Sequence, residues 1–179
     1  MFRKSWFYMF VFGAGLLTLA LVVRSGLAAL KNPGEPINAA MRAALAQERP
    51  ELSTADELAI DQLYPTAHQV FSGLRFIVRA HGPVDRVPRL SDEVAIRYTG
   101  KLLNGTVFDS SDRHQGVLTF RVGMGDVIKG LDEAILEMRK GEKRTLIIPY
   151  WLGYGEAGKP PAIPPKATLV FDVELVDFH

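Results

Sequence analysis

The stretch Val94-Ala95-Ile96-Arg97-Tyr98-Thr99-Gly100-Lys101-Leu102-Leu103-Asn104-Gly105-Thr106-Val107-Phe108-Asp109 sets the fold class. Val94, Ile96 and Tyr98 alternate with Ala95, Arg97 and Thr99, the period of a half-buried strand running to about Leu103. Asn104-Gly105 is the strongest short hairpin signal, because both central positions of a two-residue turn need positive φ. Val107 and Phe108 then lead back along a second strand. Further out, Leu118 and Phe120 share one face of a short strand, and Leu74–Arg79 reads as another. Gly130 opens the one clear helix of this region, with Leu131, Ile135 and Met138 at i, i+4 and i+7 and Gly141 as its C-cap. Lys143–Pro149 is again extended. The last strand places Leu169, Phe171, Val173 and Leu175 on one face and Val170, Asp172 and Glu174 on the other. Antiparallel strands with one amphipathic helix predict an α+β domain whose sheet wraps that helix.

The chain before this domain has a different texture. Ser5 to Val23 carries no charged residue, while Arg3 and Lys4 precede it and Arg24 closes it. At ~1.5 Å per residue a helix of that length covers roughly 28 Å, one hydrocarbon core. Trp6 and Tyr8 fall where interfacial aromatics belong. Three readings fit, an uncleaved single-pass anchor, a cleaved signal and, as the remainder, a buried helix apolar on all faces. The run exceeds the usual apolar stretch of about 7–15 residues in signals. Arg24 also interrupts the approach to Gly26, Ala28 and Ala29, so the anchor is preferred and secretion after cleavage is the alternative. The short basic N-terminus favours placing the C-terminal domain outside the cytoplasm, although Arg24 and Lys31 pull the other way.

Residues 31–71 form a connector. Asn32-Pro33-Gly34-Glu35-Pro36 is a loop signal. Ile37, Met41, Ala44 and Leu45 have helical spacing up to Pro50. Thr54-Ala55-Asp56-Glu57 reads as a capping box opening a second helix, with Leu58 and Leu63 on one side and Pro65 past its end. A spacer with two small helices is the plain reading, and a dimerising or client-holding module is the alternative. The chain thus divides into a membrane segment (1–30), the connector (31–71) and the globular domain (72–179).

Composition narrows the chemistry. The 179 residues contain no cysteine, which excludes disulfides, thiolate nucleophiles, Cys-based zinc sites and a lipoprotein-type anchor. With 21 basic and 20 acidic residues, no global field points to nucleic acid. His68, His81, His114 and His179 are too scattered for a metal site. Asp109, Ser110, Ser111 and His114 are close in sequence, but a polar loop gives no reason for hydroxyl, imidazole and acid to meet in space. Gly123-Met124-Gly125 lacks the third glycine of a dinucleotide site, and there is no phosphate-loop Gly-Lys-Ser/Thr.

Three motifs in order resemble the FKBP-type peptidyl-prolyl isomerases. Val94–Gly100 followed by Gly105–Ser111 is similar to the family's first signature. Gly125-Asp126-Val127-Ile128-Lys129-Gly130-Leu131 resembles its pocket floor, and Ile163–Leu175 its terminal strand. The opening Ser72-Gly73-Leu74-Arg75 is similar to bacterial members of the macrophage infectivity potentiator type, although a long dimerising helix is missing. The resemblance implies a binding pocket made of Tyr98, Phe108, Leu118, Val127, Ile128, Leu131, Tyr154, Ile163 and Phe171, with Asp109 as its acidic residue. Tyr98, Asp109 and Tyr154 are the implied catalytic groups. Leu131 stands where well-known members have Trp, and Leu118 where they have Phe. Both changes remove aromatic area. Tyr150 and Trp151 replace a typical Pro and acidic residue.

The implied reaction is rotation about X–Pro bonds, whose barrier near 20 kcal/mol makes unaided exchange take tens to hundreds of seconds. The twisted amide loses resonance and charge separation, so an apolar site favours it over the planar, solvated form. No cofactor or metal is implied. A ring-lined cup would hold proline while the Tyr154 hydroxyl donates to the flanking carbonyl. Asp109 would orient Tyr98 or Arg113, or face the distorted carbonyl carbon. Its plain alternative is a turn-capping aspartate. Implied partners are proline-containing, exported polypeptides and macrolides such as tacrolimus, with the membrane met through residues 5–23. A non-catalytic module that binds proline segments as a chaperone or scaffold is the competing function.

Overall fold

The structure, a computed structural model, describes residues 50–83 and 85–179. The expected membrane segment and the first connector helix lie outside the described residues. Among the described residues no helix is long and apolar enough to cross a membrane.

The described chain runs α1 (Thr54–Leu63), β1 (His68–Gln69), β2 (Arg75–Ala80), β3 (Glu93–Leu102), β4 (Val107–Ser110), a 3-10 turn (Ser111–His114), β5 (Leu118–Arg121), α2 (Lys129–Ile135), β6 (Lys143–Ile148), a second 3-10 turn (Tyr150–Leu152) and β7 (Leu169–Phe178). All strands join one antiparallel sheet in the order β1-β2-β6-β7-β3-β4, with β5 also on β3. The edge of β3 is shared: Glu93–Ile96 pairs with β5 and Thr99–Lys101 with β4. The opposite edge pairs with β7 along its whole length.

Alternation turns Val94, Ile96 and Tyr98 inward, level with Leu175 and Val173 of β7, and Leu146 and Ile148 of β6 join the same core. Leu131, Ala134 and Ile135 of α2 fill the hollow of the sheet. A helix of seven residues is shorter than isolated propensity sustains, so α2 depends on this burial.

Three local expectations are revised. The β3–β4 connection is a three-residue loop, closed by Leu102 N–H to Thr106 O (2.9 Å) and Gly105 N–H to Leu102 O (2.8 Å). Only Gly105 has positive φ (87°), while the Asn104 side chain accepts from Thr106 N (3.0 Å). The helix α2 stops at Ile135, so Gly141 is not its C-cap; Gly141 N–H instead donates to Leu175 O (2.7 Å) at the approach to β6. On α1 the cap is Ser53, whose hydroxyl accepts from Asp56 N (3.1 Å), one residue earlier than Thr54. That helix buries Ile60 and leaves Leu58 and Leu63 exposed. Arg75 with Glu57 (2.7 Å) and Thr168 with Asp56 bind α1 to the sheet domain.

Candidate functional site

Phe171 is the centre of the candidate site. On β7 it stands opposite Gly100 of β3 and Leu146 of β6. Gly100 is required by space. A Cβ there would lie 2.8 Å from Phe108 Cζ and 3.1 Å from Phe171 Cε1, closer than carbon contacts allow. Phe108 therefore folds over the glycine and meets Phe171 edge-on, centroids 5.6 Å apart at 75°. Tyr98, two residues before Gly100, also packs by Phe171, with ring centroids 5.8 Å apart at 37°. Each such aromatic pair contributes about 0.5–1.5 kcal/mol beyond area burial.

Leu131 and Ile163 are buried in the same apolar cluster as Tyr98 and Phe171. Phe108, Leu118, Val127, Ile128 and Tyr154 pack against that cluster while keeping part of their surface in solvent. All nine apolar positions singled out in the sequence thus join one assembly, with four forming a buried base and five the partly open layer. The loop carrying Val127 and Ile128 is fixed by a residue that pattern reading passes over. Asp132 of α2 accepts from Gly123 N (2.8 Å) and Gly125 N (3.0 Å), one on each carboxylate oxygen.

Polar groups gather at one edge. The Tyr98 hydroxyl donates to Asp109 Oδ2 at 2.7 Å, and Ser110 N donates to Asp109 Oδ1 at 2.8 Å. Of the orientations open to Asp109, the contact with Tyr98 is therefore made, and its turn contact to Ser110 coexists with it. The Arg113 guanidinium donates to the Phe108 carbonyl (3.0 Å) and so steadies the ring-bearing strand end. Ser111, buried, accepts from Tyr98 N (3.2 Å), a structural use of a hydroxyl that in sequence lies close to the candidate acid.

Burial foremost, then the hydrogen bond to Asp109 and the charge of that carboxylate, holds the Tyr98 phenol well above its usual range, with Arg113 opposing in part. Tyr154 is raised by burial first and then by the negative charge of Asp109. Both phenols are protonated at neutral pH, and Tyr98, Asp109 and Tyr154 lie within electrostatic reach of one another. Among the described residues the Tyr154 hydroxyl makes no hydrogen bond, whereas Lys159 Nζ lies 5.6 Å from its ring centroid. The arrangement offers an apolar bed with one uncommitted O–H donor beside it. Among the described residues no group of three or more His, Asp or Glu side chains is placed to hold a metal.

A cavity of about 470 Å³ opens on the outer side of the sheet, lined by charged groups such as Arg79, Arg97, Lys143, Asp172 and Glu174, and it reaches Tyr98, Ser110 and Ser111 next to the polar edge of the site. Two of its acids are already partnered. Glu174 faces Arg97 (3.6 Å) and Lys143 (3.4 Å), and Asp172 accepts from Lys101 (2.6 Å) and Thr145 (2.8 Å).

An antiparallel sheet thus wraps a short helix, with rings and a tyrosine–aspartate pair on its inner side. The chain belongs to the FKBP-type peptidyl-prolyl cis-trans isomerase family, whose model matches residues 84–176. The peptidyl-prolyl cis-trans isomerase FKBP2 of Mus musculus is 53% identical over 96 residues, 52% of this chain and 69% of the mouse protein. FK506-binding protein 4 of Dictyostelium discoideum is 46% identical over 121 residues, 65% of this chain but only 32% of that longer protein. The crystal structure of AtFKBP13 superposes with a TM-score of 0.60 at 39% identity, covering 63% of this chain and 98% of the other. The reaction class is accordingly cis/trans isomerisation at X–Pro bonds.

Proposed function

We propose that the inner surface formed by Phe108, Val127, Ile128 and Tyr154 over Leu131 and Phe171 receives a prolyl ring, and that isomerisation takes place there. The observation that supports this most is the single ring assembly: Phe171 packed by both Tyr98 and Phe108, with Asp109 and Tyr154 at its edge. The bed excludes water from the twisting amide, which favours its less polar, resonance-broken form. Tyr154 donates its free hydroxyl to the carbonyl flanking proline. Asp109 fixes Tyr98 and places a negative charge near the amide carbon. Ile163 and Leu118 complete the walls. This scheme needs no covalent intermediate.

The natural substrates on this reading are exported polypeptides with proline-containing turns, met at a membrane. Support for the membrane is the uncharged run Ser5–Val23 between Arg3-Lys4 and Arg24, with the globular domain of residues 72–179 held by the connector on the extracytoplasmic side. The narrower kinship with bacterial members rests on Ser72–Arg75 alone; the mouse and Dictyostelium relatives are eukaryotic. Macrolides of the tacrolimus type would occupy the same bed, with affinity reduced by the aliphatic Leu118 and Leu131. Those two leucines also favour the second reading, proline-segment binding without turnover.

The test is isomerisation of a proline tetrapeptide by the full chain in detergent. Catalysis above the spontaneous rate is expected, with Tyr154→Phe and Asp109→Ala each lowering kcat/KM about tenfold, near 1.4 kcal/mol, without unfolding. A spontaneous rate with retained peptide binding leaves the binding module, and wild-type rates in both variants displace the site.

A further inference from the structure

Tyr154 sits between Gly153 and Gly155, so neither neighbour has a side chain to brace it. A hydroxyl that must meet a carbonyl in the transition state has to be held within about 0.5 Å of its working position. The local hydrogen bonds of its segment, Leu152 N to Pro149 O (3.0 Å) and Gly155 N to Tyr150 O (2.8 Å), close the turn on itself, and Lys166 N to Gly155 O (3.3 Å) ties its far end to the approach to β7. One side-chain hydrogen bond ties its near end. Trp151 Nε1 donates to the Ser72 carbonyl at 2.9 Å, across 79 positions of sequence.

The acceptor is built for this contact. Gly73 has φ of 96°, and a Cβ on it would lie 2.7 Å from Trp151 Cζ2, so the N–H edge of the indole lies close against bare backbone. Tyr150 stacks edge-on behind the indole, centroids 5.1 Å apart at 86°. Ser72 in turn reaches the other wall of the site. Its hydroxyl donates to Glu133 Oε1 (2.6 Å) on α2, the helix that carries Leu131, and accepts from Leu74 N (3.3 Å). One turn, Ser72–Gly73, therefore ties the segment bearing the proposed donor to the helix bearing the apolar base.

We propose that Trp151 and Ser72, braced by Glu133, are positioning residues that set the Tyr154 hydroxyl against the apolar bed. The inference rests on the reading that Tyr154 donates to the substrate carbonyl. Trp151 touches neither substrate nor reacting atoms, so its contribution travels through Tyr154, and removal of the Tyr154 hydroxyl must erase it.

That dependence is measurable as a double-mutant cycle with the full chain and a proline tetrapeptide. Trp151→Phe keeps an aromatic ring over Gly73 and deletes the N–H donor. It is expected to lower kcat/KM about fivefold, mostly in kcat, and to change it less than about 1.5-fold when Tyr154→Phe is already present. Glu133→Ala, which leaves the indole contact intact, is expected to cost about twofold in the wild-type background and nothing in Tyr154→Phe, whereas Glu133→Gln, still an acceptor for Ser72, restores the rate. Equal proportional losses in both backgrounds would mean that Trp151 merely supports the fold. Wild-type activity in both Trp151→Phe and Glu133→Ala would overturn the inference while leaving Tyr154 its role. Full activity of Tyr154→Phe alone would remove the donor reading, and this inference with it.

Discussion

The same strands present two unlike surfaces. Tyr98, Gly100, Phe171 and Val173 of β3 and β7 point inward to rings and aliphatics, while Arg97, Thr99, Lys101, Asp172 and Glu174 between them point outward into charge ladders. On the inner side a phenol is pushed away from ionising by burial, and its one acid partner is held at hydrogen-bond distance. On the outer side the balance reverses for Asp172. Burial there works against ionisation, but hydrogen bonds from Lys101 and Thr145 and the nearby Arg79 outweigh it and lower its pKa. A two-residue period thus separates a dry face suited to a neutral, twisting amide from a wet face that keeps the sheet soluble.

Burial should decide the size of a charge deletion. Glu142 and Arg144 form an ion pair at 2.6 Å, with side chains only 1% and 7% exposed. Arg144 also donates to the Glu137 carbonyl and lies 4.7 Å from the Phe76 ring centroid. Glu142→Ala leaves that guanidinium buried and unpaired, and denaturant unfolding is expected to show a loss of about 3–5 kcal/mol. A loss under about 1 kcal/mol would mean that water reaches this end of the core.

Overpacking of the ring bed comes next. Gly100→Ala forces Phe108 or Phe171 to move, and is expected to cost about 1–3 kcal/mol of stability and to lower isomerase activity as the rings part. Unchanged activity would show that the Phe108–Phe171 contact is not needed. Smaller still is Glu174→Gln on the outer face. Its partners Arg97 and Lys143 are more than half exposed, so thermal unfolding is expected to shift by under about 1 kcal/mol and activity not at all.

The least change is expected from pH. Both site phenols titrate above the ordinary tyrosine value of 10.0, so activity carries no tyrosine limb up to about pH 10. A fall in kcat/KM beginning near pH 9 in the wild type but not in Tyr154→Phe would contradict their burial. Asp172 favours its charged form in the fold, so its contribution is present above 3.8 and lost as pH falls through its lower folded value. Asp172→Asn should flatten that part of the acid-unfolding curve.

Alternation made β3 and β7 legible from sequence, down to which residues share a face with Tyr98 and with Phe171. The convergence of Phe108, Tyr98 and Tyr154 was legible only through family resemblance, since nothing local brings β4 over Gly100 or the segment after β6 toward Asp109. The contacts that stayed hidden join residues distant in sequence. Trp151 reads as an odd residue in a loop until Ser72 is seen beside it, and Asp132 as a helix-surface acid until Gly123 and Gly125 donate to it. Leu58 and Leu63 suggested the packed side of α1, yet Ile60 is the residue that the sheet domain buries, because docking through Asp56 and Glu57 sets the helix's rotation. Gly141 resembles a helix cap by position, but the helix had already stopped at Ile135.

The most direct test of the inner bed is a backbone and methyl chemical-shift titration of the full chain with a proline tetrapeptide. Saturable shifts are predicted at Phe108, Val127, Ile128, Leu131 and Tyr154, with Arg97, Lys101, Asp172 and Glu174 unmoved. Shifts confined to those outer residues, with the ring-bearing ones silent, would contradict the account.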